Sequence, residues 1–172
     1  MEKNEQQIVL EQFRDYVIKQ ARTNLSRLKK NSSRKLYDSI KGDIKAMPNS
    51  LRLYFDMVDY GFYQDKGVSG TKVKYDTPFK YTNKMPPPKA FDKWIVKKGI
   101  APRNKAGKFT TRKGLQFAIA RSIFTKGIKP SLFFTKPFEQ AFKNLPNEMI
   151  EAYGLEAEET FDTIMKENFK TK

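Results

Sequence analysis

Cysteine and histidine are both absent from the 172-residue sequence. Without cysteine there is no disulfide, no thiol nucleophile, no zinc finger and no cysteine-held iron–sulfur cluster. Without histidine the usual general base, the histidine triads and most transition-metal sites fall away. An enzyme built on this chain has only carboxylates, lysine, tyrosine and serine to work with, so the expectation is no catalysis and no cofactor. Long apolar runs are missing too. Nothing approaches the roughly 20 residues that span a bilayer, and Met1-Glu2-Lys3-Asn4-Glu5 has neither the apolar core nor the cleavage site of a signal peptide. No membrane partner is expected.

Acid is scarce: 19 acidic residues face 34 basic ones, a formal net charge of +15. The hydrophobic share of 38% and aromatic share of 13% are enough for a packed core, and the length suits one domain, residues 1–172. The charge is unevenly placed. Between residues 84 and 129 thirteen basic residues stand against one acid, Asp92. The candidate basic patch is Lys93, Lys97, Lys98, Arg103, Lys105, Lys108, Arg112 and Lys113, facing either a neighbouring subunit or DNA. Beyond it the sign reverses. Glu148, Glu151, Glu156, Glu158, Glu159 and Asp162 form a candidate acidic counter-surface, and Lys166 is the only basic residue from 148 to 167. Two uses fit this polarity: phosphate neutralisation by the basic block, or head-to-tail association between identical chains. A solvated surface without a partner is the third reading.

Periodicity predicts the elements. Leu10, Phe13, Val17, Ala21, Leu25 and Leu28 recur at three- and four-residue steps, giving an amphipathic helix over about 5–30. Leu36, Tyr37 and Ile40 read as a short helical turn or a strand entry, stopped at Gly42. A β-hairpin follows, with Pro48-Asn49-Ser50 as its turn, and then a short aromatic helix before Gly67. Residues 68–88, with Pro86-Pro87-Pro88, read as a long loop that is either functional or an arm that orders against a neighbour. Pro88 seeds a helix ended by Gly99, 101–111 is a polar loop, and 112–125 is a helix buried through Leu115, Ala118, Ile119, Ser122 and Ile123. Residues 131–135 have strand composition, Pro137 opens a helix, and a last helix runs from 146 towards 169. The predicted fold class is α+β: a small antiparallel sheet framed by a long N-terminal helix and C-terminal helices, with residues 68–126 as a basic insertion.

Two weaker signals concern chemistry. Asp56, Asp59, Asp65 and Asp76 lie near Lys66 and Lys72, which evokes a carboxylate metal-dependent nuclease, though the spacing matches no defined motif. Residues 67–72 superficially resemble a phosphate-binding loop but lack its spacing and its Gly-Lys-Ser/Thr ending.

Two segments carry a resemblance. Val58-Asp59-Tyr60-Gly61 closes the hairpin, and Phe133-Phe134-Thr135-Lys136-Pro137-Phe138 leads into Ala141-Phe142. Together they resemble the head–tail connector and tail-completion proteins of tailed bacteriophages, the tail-terminator-like family. The resemblance implies a long first helix, a hairpin, and a closing Pro-Phe strand running into a helix. It also implies a structural virion protein, assembled in the host bacterial cytoplasm into a homo-oligomeric ring around a DNA channel at the phage neck. Its neighbours would be portal, adaptor or tail proteins. The 68–126 stretch is longer than the family's usual connection. The alternatives are a monomeric basic nucleic-acid-binding protein and, third, the carboxylate nuclease.

Overall fold

A computed structural model describes residues 5–30, 33–47, 50–104 and 106–147. The fold is α+β, and the chain divides into two compact units, 1–61 with 132–172 and, between them in sequence, 62–131.

The first unit opens with α1, Glu5–Arg27. Phe13, Val17, Ala21 and Leu25, each four residues from the next, are its buried line, whereas Leu28 is exposed. After α2, Lys35–Ser39, come β1, Lys41–Met47, and β2, Ser50–Asp56. They pair antiparallel from Lys41 opposite Asp56 to Met47 opposite Ser50. Gly42 does not stop an element as expected but lies inside β1. A Cβ there would sit 2.6 Å from Arg14 Cγ, so the bare backbone lets the strand meet α1. Arg22 ties α2 to α1, donating to the carbonyls of Tyr37 (3.1 Å) and Ile40 (2.9 Å) at the end of the short helix. Those are carbonyls a helix end leaves without intrahelical partners.

The unit is completed by α6, Thr135–Lys143, which packs on α1. Its ring cluster is the core: Phe138 lies 5.4 Å from Phe13 and 6.2 Å from Phe55, and Phe55 lies 5.2 Å from Phe134. Edge-on contacts at such separations add to the apolar area removed from water. The strand expected over 131–135 does not form. Leu132 takes a left-handed backbone (φ 50°), which turns the chain directly into α6, and Phe133 and Phe134 are buried by that turn. The helix expected from 146 towards 169 lies outside the described residues.

The boundary at Gly61 and Phe62 falls within α3, Tyr60–Lys66. In the second unit β3, Val68–Ser69, pairs antiparallel with β4, Gly127–Ile128. A 3-10 turn at Pro88–Phe91 leads into α4, Asp92–Lys97, and α5 spans Arg112–Lys126. Thr111 caps α5 by accepting from the Gly114 amide at 3.2 Å. Among the described residues no helix is long and apolar enough to cross a membrane.

Candidate interaction surface

The loop predicted over 68–88 is not a free arm at its start. Ser69 is buried and bonded on every side: its N–H donates to Phe79 O (2.8 Å), its carbonyl accepts from Tyr81 N (2.9 Å), and its hydroxyl joins both Tyr75 O and Tyr75 N. The next amides cap α5. Thr71 N donates to Phe124 O and Lys72 N to Thr125 O, both at 2.9 Å, taking up carbonyls at the helix C-terminus. Gly70 and Gly127 make this closure feasible. A Cβ on Gly70 would strike the Thr125 carbonyl, and one on Gly127 would strike the Val68 carbonyl. The amides of Ser69, Gly70, Thr71 and Lys72 are all spent on protein carbonyls, so the resemblance to a phosphate-binding loop has no physical content.

The predicted polar loop 101–111 is a small hairpin. Arg103 and Phe109 bridge antiparallel, Asn104 N donates to Lys108 O at 2.8 Å, and the Arg103 guanidinium lies 4.2 Å from the centroid of the Phe109 ring. That stacking holds a cation and a ring together at the surface.

The basic residues follow from these elements. Lys93, Lys97 and Lys98 stand exposed on and just after α4, Arg103 and Lys108 on the hairpin, and Arg112 and Lys113 at the start of α5. Lys105 lies outside the described residues. Asp92 joins the two helices, accepting from Gln116 Nε2 at 2.6 Å and lying 3.7 Å from Arg112 Nη1. This contact also turns α5. Its buried positions are Gln116 and Ala120, while Ala118 and Ser122 of the expected stripe are exposed. Flanking the buried side, Lys113, Phe117 and Arg121 follow one another at single-turn steps, all exposed.

Exposed apolar groups accompany the cations. Phe109 is 68% exposed, Val96 56%, Phe117 50% and Trp94 41%. Periodicity groups Trp94 with Phe91 and Ile95 on one side of its helix, but of the three only Ile95 is buried, and it singles out none of Phe109, Val96 and Phe117. The signal that finds them is their spacing from the buried positions Ile95 and Gln116, which only the structure supplies. A cation-rich stretch that also exposes rings fits a partner that is both acidic and apolar.

The acidic counter-surface of Glu148, Glu151, Glu156, Glu158, Glu159 and Asp162 lies outside the described residues. The family-like residues fall in the first unit and pack there. Gly61 lies where a Cβ would come within 2.8 Å of Leu36 Cδ1. The Val58 N–H donates to Ser39 Oγ at 3.2 Å, Asp59 and Tyr60 are exposed, and Phe133, Phe134, Pro137 and Phe138 are buried. The four aspartates of the nuclease reading divide between the units, Asp56 and Asp59 in the first and Asp65 and Asp76 in the second. Asp56, Asp59 and Asp76 are exposed and Asp65 is fully buried, and among the described residues no group of three potential ligands is placed to hold a metal. Comparison with protein-family models, with curated proteins and with solved structures returns no match.

Proposed function

We propose that this protein is a structural virion subunit of a phage neck or tail-completion ring, joining the portal side of the capsid to the tail around the DNA channel. The observation that carries this reading is the core shared by the closing family-like segment and the hairpin that precedes the other. Phe55, at the end of the hairpin just before Val58, packs on Phe134 and Phe138 of the closing segment, with α1 completing the set through Phe13. The order of elements that the resemblance implies is present, apart from the closing strand, which a turn replaces. Charge supports the same reading. A ring subunit needs two different complementary surfaces, and this chain has a basic middle and an acidic C-terminal segment. Its role is geometric, with assembly contacts in place of catalysis.

One observation favours a second reading, a monomeric basic nucleic-acid-binding protein. Exposed rings beside cations, as at Phe109 with Arg103 and at Phe117 between Lys113 and Arg121, can stack bases and meet phosphates. Light scattering and negative-stain imaging of the purified chain decide between them. Closed rings support the proposal. A monomer that binds DNA with a steep salt dependence overturns it.

A further inference from the structure

The exposed faces of α4 and α5 are a surface without a described occupant. Trp94, Lys97 and Lys98 line one helix or its end, and Lys113, Phe117 and Arg121 line the other. The two helices are fastened at Asp92, which spends the one acid of the stretch on Gln116 and Arg112 and leaves Lys97, Lys98, Lys113 and Arg121 without an acidic partner among the described residues. Nucleic acid would answer the positive charge and the rings.

One segment of this same chain matches both properties. Residues 148–167 hold seven acids and a single lysine, interleaved with Met149, Ile150, Tyr153, Phe161, Ile164 and Met165. Acid and apolar residues alternate there as cation and apolar residues do on the helical face. We infer that the basic, apolar face of α4 and α5 receives the acidic segment 148–167 of a second copy of this chain. The contact is heterologous, one face to a different face, and repeats from copy to copy until a ring closes. The inference rests on the ring reading and names the contact that would build it.

The test is a charge swap in the full-length chain. One variant reverses the helical face (K97E, K98E, K113E and R121E together) and a second reverses the segment (E151K, E156K, E158K and E159K together). All the altered face residues are exposed, and circular dichroism of each variant establishes that the helices are retained. Native mass spectrometry and light scattering then follow assembly. Each variant alone is expected to need at least about tenfold more protein to associate than the wild type. An equimolar mixture restores association, because each variant supplies the charge the other's surface now requires. Wild-type assembly is expected to weaken as salt rises, since exposed charge pairs are screened over a Debye length of about 10 Å at 0.1 M.

Wild-type rings whose variants assemble unchanged overturn this contact and leave the ring reading standing. Variants that fail to recover on mixing overturn it as well. A face-reversed variant that still assembles but loses binding to a single-stranded oligonucleotide assigns the face to nucleic acid instead. A wild-type monomer defeats both the contact and the ring.

Discussion

Asn24 on α1 donates its side-chain amide to the carbonyl of Phe133 at 3.3 Å, occupying the position that Pro137 leaves empty. In a regular helix that carbonyl receives the N–H of the residue four places on, and proline has none. The long first helix thus satisfies the backbone of the closing segment, and the two ends of the first unit are tied together at a buried phenylalanine.

Asn24→Ala removes that donor and leaves the Phe133 carbonyl unpaired. The expected cost is about 1–3 kcal/mol of stability, read as a lower midpoint in urea denaturation. Asn24→Gln, which keeps an amide on a longer stem, is expected to cost less.

Phe138→Ala empties the centre of the ring cluster, where Phe13, Phe55, Phe134 and Phe142 all meet it. A loss of about 3–5 kcal/mol is expected. Phe117→Ala, on a half-exposed ring outside any core, is expected to change stability by less than about 0.5 kcal/mol. Thermal unfolding followed by circular dichroism compares the two directly.

Gly127 holds φ 76° and ψ −166°, a backbone conformation that only glycine adopts readily, costing other residues about 1–3 kcal/mol. The collision of an added Cβ with the Val68 carbonyl comes on top. Gly127→Ala is therefore expected to loosen the pairing of β3 with β4 and the capping of α5. Hydrogen exchange at the amides of Thr71 and Lys72 should rise by an order of magnitude or more if each loses about 1.4 kcal/mol of protection. Unchanged protection would contradict the closure described here.

How much of this was legible in the sequence depends on which force decides each element. The four-residue rhythm of Phe13, Val17, Ala21 and Leu25 is a burial pattern, and it appears in the chain as it does in α1. The hairpin is marked by its turn residues, and its strands pair as the alternation implies. The run 131–135 misleads because its composition favours a strand while the left-handed turn at Leu132 and the tertiary burial of Phe133 and Phe134 impose a turn and helix. The face of α5 misleads for a different reason. Gln116 goes inward because Asp92, 24 residues earlier, accepts a hydrogen bond from its side-chain amide, and no local rhythm announces such a pair. The residues of the candidate surface were visible as a block of charge, but the exposed rings among them were not.

Burial raises the Tyr81 hydroxyl above its ordinary value of 10.0. A phenol harder to ionise in the folded chain contributes stability that is present below that value and is lost as pH rises through the folded one. Wild-type stability is therefore expected to fall more steeply above pH 10 than that of Tyr81→Phe, with the two curves parallel at neutral pH. Denaturation midpoints across the alkaline range check this, and identical slopes would contradict it.

The central claim is that the chain assembles as a ring subunit, and native mass spectrometry combined with image reconstruction of the purified full-length protein tests it most directly. The account predicts a closed, rotationally symmetric ring of identical copies, with the basic face of one subunit against the acidic segment of the next. A protein that remains monomeric across the same range of concentration, and binds DNA with a steep salt dependence, would contradict it.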